Sequence, residues 1–194
     1  MSDMDDAIFG RVSGDEDPFK RILHKIPGFS GYLDRQNRRD ADKLLRETIA
    51  ARFEELWQSV SRLQTEFIRS GDIAQVDDLE AAAIKLRTFA DRISRATYGY
   101  SSLFEAVKIN QEELSQLYSY DASLLDLVDE INRAVDNVAA SVGSDGLPAA
   151  IRHLTGQAQK AIDLYNRREE VILATPPSSA AGNIPPAGDL PPAV

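Results

Sequence analysis

The sequence predicts an all-α fold. It is an antiparallel up-down helical bundle of three to four long helices, set between a disordered acidic N-terminus and a disordered Pro-rich C-terminal tail. The first observation behind this is a repeat of apolar residues at alternating steps of three and four. Ile49, Phe53, Leu56, Val60, Leu63 and Phe67 form one such run, and Val76, Leu79, Ala83, Leu86, Ala90 and Ile93 a second. Leu124, Val128, Ile131, Val135, Val138 and Val142 form the third, and Leu147, Ile151, Leu154, Ala158, Ala161 and Tyr165 the fourth. This spacing keeps one helix face toward a partner helix. The second observation is that glycines punctuate the short gaps between runs, and short connections favour antiparallel neighbours. The third is composition: 194 residues, 43% apolar and 27% charged, is ordinary for one globular domain.

The elements follow in order. Phe19 to Lys25 reads as a short helix, ended by Pro27 and Gly28, with Gly31 marking a further turn. A long helix is expected from Leu33 to Ser70, stopped by Gly71. The next runs from Ile73 or Asp77 to Tyr98, with Gly99 as its stop and capping-box spacing between Asp77 and Glu80. Ser102 and Glu105 have the same spacing and open a short helix over Leu103 to Lys108. Asn110 with Glu113 caps a third long helix from Gln111 to Val142. Residues 143–146 form a turn, from which Asp145 caps a fourth helix that tolerates Pro148 in its first turn and ends near Ala174. A three-helix bundle with one helix projecting is the alternative architecture. The organisation is therefore a leader at 1–17, a basic amphipathic segment and Pro/Gly turn at 18–32, the bundle at 33–174 and a tail at 175–194.

Charge is distributed unevenly. The whole chain carries −9, which argues against general nucleic-acid binding because like charge repels phosphate. The leader holds six acids and one base, whereas residues 18–46 hold eight bases and three acids. The leader has few large apolar residues and reads as disordered. Six prolines in residues 175–194 exclude helix and favour an extended polyproline conformation. The N-terminus lacks the basic region and apolar run of a secretory signal. No apolar run approaches the roughly 20 residues that a spanning helix needs. With no cysteine to form disulfides, the expectation is a cytoplasmic protein, with a membrane-peripheral location as the alternative.

Enzyme chemistry finds little support. Neither a Gly-Lys-Ser/Thr phosphate loop, nor Gly-x-Gly-x-x-Gly, nor Gly-x-Ser-x-Gly occurs. A di-iron bundle needs paired Glu-x-x-His, but Arg21 precedes His24 by three and Ala150 precedes His153 by three. The pairs Glu54-Glu55, Glu112-Glu113 and Glu169-Glu170 are adjacent, so their side chains splay about 100° apart on a helix and read as solvated faces. The expectation is a non-catalytic protein with no cofactor, no metal and no small-molecule substrate.

Three features stand out from the repeat. Phe19, Ile22, Leu23 and Ile26 make an apolar face ringed by Lys20, Arg21 and Lys25, and Phe29 and Tyr32 follow in the turn. Arg35, Arg38, Arg39 and Lys43 continue the charge at helical spacing. Such a segment can close the bundle end, dock on a partner protein or lie on an anionic membrane. Tyr98, Tyr100, Tyr118 and Tyr120 form a second candidate patch, because tyrosine suits half-buried edges and interfaces. Trp57, beside Leu56 and Val60, reads as core. Asp121 and Arg168 interrupt the seam. They sit either where the bundle opens to water, or buried and paired across it.

The layout of a basic amphipathic start followed by long helices is similar in outline to phage-shock membrane-remodelling proteins. That similarity of layout implies the membrane-surface alternative and carries no residues across. The leading expectation is an interaction or scaffold protein whose contacts run through the basic segment. Its partner is another protein or a second copy of itself in a homo-oligomer. An anionic lipid surface is the alternative partner.

Overall fold

The computed structural model describes residues 18–27, 29, 38–71, 73–106 and 111–174, with side chains described over 18–27, 29, 41–71, 73–96, 112 and 115–171. The expected leader and tail, Tyr32, Arg35 and the Leu33 start of the first long helix lie outside the described residues. The expected all-α bundle is what the structure shows. A short helix α1 spans Pro18–Lys25, with proline at its first position, where no amide hydrogen is needed. The four long helices are α2 (Arg38–Ser70), α3 (Val76–Ala106), α4 (Gln111–Ala140) and α5 (Leu147–Ala174). At 33 residues, α2 is the longest, about 50 Å from end to end.

Each turn has a local cause. Gly71 and Gly143 adopt positive φ, the left-handed conformation that ends a helix at little cost only for glycine. Gly99 does not: α3 continues through it to Ala106, and the separate helix expected from Leu103 is its last part. One interior glycine costs about 1 kcal/mol relative to alanine, less than breaking several backbone hydrogen bonds in a stretch without proline. A 3₁₀ turn at Ile73–Gln75 leads directly into α3, so Asp77 lies inside the first turn and not at the cap. There it still favours the helix dipole. Before α5 the Ser144 hydroxyl, not Asp145, closes the turn, accepting from the Gly146 amide at 3.3 Å.

The long helices occupy the corners of a square. α2 packs on α3 and α4 on α5, while α3 also packs on α5 and α2 on α4. Consecutive helices alternate direction, so the side-by-side pairs α3/α5 and α2/α4 run parallel. The parallel register of α3 and α5 is visible in two bonds of equal sequence offset. Lys85 donates to Gln159 at 2.6 Å and Arg92 to Asn166 at 2.6 Å. The step from α3 to α4 thus joins opposite corners, a connectivity that the repeat alone leaves open.

The seam residues fill the centre. Phe53, Phe89 and Tyr165 stack through the middle, with ring centroids 4.3 Å and 5.7 Å apart, the second contact edge-on. Val142 departs from the expected seam: it lies past the end of α4 and is exposed. Trp57, expected in the core, sits at its boundary with the Arg87 guanidinium 4.8 Å above its ring.

Candidate functional site

Two constellations lie near the end of the bundle where α2 and α4 begin. One is the seat of α1. This helix is basic and amphipathic, and the sequence places its apolar side chains on one face. Ile22, Ile26 and Phe29 are buried in the common core. Phe19 is half-buried, its ring 5.9 Å from Phe29 and 6.0 Å from Tyr118 of α4, and Phe29 meets Tyr118 edge-on at 6.4 Å. The basic segment and the tyrosine corner, two separate expectations, therefore meet through Tyr118. Tyr120 is half-buried one turn on. Tyr98 and Tyr100 lie in the last turns of α3, and Arg38 and Arg39 open α2, but their side chains are outside the described residues.

The bases of α1 pair with α4. Arg21 bonds Asp126. Lys25 reaches Asp126 at 2.7 Å, Asp129 at 2.6 Å and the Leu125 carbonyl at 3.3 Å. From α2, Arg52 donates to the Lys25 carbonyl at 2.6 Å, satisfying an acceptor that is orphaned because the helix ends there. Lys20 and His24, four residues apart, face solvent. Beyond Arg52 the space between α2 and α4 continues as an open groove over Leu56 and Val128, edged by Glu55, Ser59, Arg62 and Asn132.

The other constellation is a buried charge network. Arg168 of α5 is 1% exposed and donates from Nε to Asp121 at 2.7 Å. Its Nη2 donates to Asp42 of α2 at 2.8 Å and to the second Asp121 oxygen at 3.2 Å. Arg46 pairs with the other Asp42 oxygen at 2.5 Å. Two acids and two bases balance, which offsets part of the cost of burying charge. Burial works against the Arg168 charge, but Asp121 and Asp42 outweigh it and hold its pKa above the ordinary arginine value. Burial pushes the Asp121 carboxyl up, and Arg168 opposes that rise. The buried alternative for Asp121 and Arg168 is the one the structure shows. Asp42 and Arg46 were missed, although their i,i+4 spacing is a legible pairing signal.

Neither constellation assembles a nucleophile with a base. Among the described residues no group of three or more His, Asp or Glu side chains could hold a metal ion, and no helix is long and apolar enough to cross a membrane. The chain matches no family model, no curated protein and no solved structure.

Proposed function

We propose that this chain is a non-catalytic helical-bundle interaction protein whose contacts with other proteins run through its basic N-terminal segment. The observation that carries this reading is how α1 is attached. It lies on the outside of the α2–α4 face, held by one apolar strip and by ion pairs to Asp126 and Asp129, with Lys20 and His24 turned to solvent. Those pairs are about one-third exposed at Arg21 and Asp126, where each is worth little. A short helix held this way is a releasable contact element. The Ile22, Ile26 and Phe29 face that a lipid surface would take up is turned inward, which favours a protein partner over a membrane.

The test is affinity capture with the full chain as bait, beside a variant carrying Lys20→Ala, Arg21→Ala and Lys25→Ala. Partners retained by the wild type and lost by the variant support the reading. An identical set from both overturns it. Co-sedimentation with vesicles containing anionic lipid at low salt separates the alternatives. Binding that disappears in the same variant moves the contact to a membrane surface.

A further inference from the structure

The groove that seats α1 is only half filled. Beyond Lys25 the chain turns at Pro27, which cannot continue a helix, yet the α2–α4 groove runs on over Leu56 and Val128. We infer that this groove is an interaction surface for a foreign helix longer than α1, and that α1 is the built-in occupant it displaces. The partner helix repeats the α1 pattern over its first two turns, with apolar residues where Ile22 and Ile26 stand and bases where Arg21 and Lys25 stand. Over its next two turns it carries carboxylates. The inference rests on the reading of α1 as a releasable element.

Each part of the partner follows from a group in the groove. Asp126, Asp129 and the Leu125 carbonyl already select bases, because they bond Arg21 and Lys25. Arg52 is committed to the Lys25 carbonyl only because α1 stops there. In a longer helix that carbonyl accepts from an amide four residues on, and Arg52 is released toward a side chain. With Arg62 it outnumbers Glu55 along the open half, so carboxylates fit there. Leu56 and Val128 give the floor an apolar strip. An α1 from a second copy would stop at the same lysine and leave this half empty. Free α1 gains nothing from remaining helical, since eight residues are too few to hold a helix in water. The two events are then coupled: filling the groove frees α1, and freeing α1 opens the groove.

Fluorescence anisotropy on the full-length protein tests this. The probe is a labelled peptide of about sixteen residues, long enough to persist as a helix in the groove. It begins with residues 18–25 and continues with alanine and glutamate in place of the proline turn. Removing the competing α1 with Arg21→Glu and Lys25→Glu should tighten binding about tenfold, because the seated state no longer taxes the affinity. Asp126→Lys with Asp129→Lys should weaken it by a similar factor. Arg52→Ala should weaken the glutamate peptide and leave a glutamine version unchanged. Circular dichroism confirms that each variant is folded, and Lys25→Gln replaces the double reversal if that variant melts. A scrambled peptide binding equally well, or no tightening in the reversed variant, overturns the inference. So does equal affinity for the eight-residue peptide. Concentration-dependent dimers by light scattering without peptide binding overturn it in favour of a second copy. Base-dependent capture with no peptide binding defeats this inference alone and leaves the proposed function standing.

Discussion

Arg168 on α5 donates from Nε to Asp121 on α4 at 2.7 Å, both side chains being 1% exposed. The same guanidinium reaches Asp42 on α2, at the opposite corner of the square. One side chain therefore ties three of the four long helices together through the core. Apolar side chains pack in several registers with similar energy, whereas this bond exists in one. The network accordingly acts on which arrangement forms more than on how stable it is.

Arg168→Ala should lower the unfolding free energy by about 3–5 kcal/mol, because Asp121 is left buried and charged without its partner. Arg168→Met combined with Asp121→Leu should recover most of that loss, since both desolvated charges go and the volume stays close. Urea denaturation of the two variants checks this. A cost below about 1 kcal/mol for the single change would place Arg168 in contact with water.

The same residues show how much of the fold and site was legible. Seam periodicity carried the helices because burial of an apolar stripe is local in sequence. The interruptions at Asp121 and Arg168 were visible, but their burial was not. It depends on which helices share a corner, and a heptad reads the same for either square connectivity. Asp42 and Arg46 were hidden differently: they sit among Arg38, Arg39 and Lys43, a run that looks like solvated charge. Within α1 the pattern of bases was plain, yet its seat was not. Asp126 and Asp129 lie about a hundred residues away.

Tyr165 is fully buried, and its hydroxyl has no hydrogen-bond partner. Burial pushes its pKa up from the usual tyrosine value, with Arg168 opposing. A raised folded value means that the group's contribution to stability is fully present below about pH 10, its unfolded value, and is lost as pH rises through the folded one. Tyr165→Phe should therefore be about 1 kcal/mol more stable at neutral pH, having shed an unsatisfied hydroxyl. It should also resist alkaline unfolding better than the wild type. Melting curves at pH 7 and above pH 10 decide both. An equal alkaline loss in the two proteins removes Tyr165 from the effect.

Glycine has opposite roles at two places. Gly71 holds φ at 88° with open space around it, so alanine there meets no clash and only conformational strain. Gly71→Ala should destabilise by about 1 kcal/mol. Gly156 sits inside α5 without positive φ and with nothing near its absent Cβ. Gly156→Ala should stabilise by about 0.5–1 kcal/mol, by restricting the unfolded chain and favouring the helix. Thermal melts of the pair should move in opposite directions. A shift of the same sign in both would contradict the backbone geometry at one of them.

The hold on α1 divides into an apolar part and an ionic part, and the two should respond differently. Ile22 is fully buried, so Ile22→Ala removes a core contact worth about 2–4 kcal/mol, more than the ion pairs can replace. Lys25→Ala loses pairs to Asp126 and Asp129, and solvent screening keeps that loss near 1 kcal/mol or less. Hydrogen exchange at the α1 amides reports docking without requiring the bundle to unfold. Protection should collapse in Ile22→Ala at any salt concentration. In Lys25→Ala it should fall modestly at low salt and match the wild type at 1 M, where screening has already removed the ionic part. Protection lost equally in both variants at low salt would make the charges the main anchor. Release of α1 would then be governed by ionic strength and not by competition for the groove.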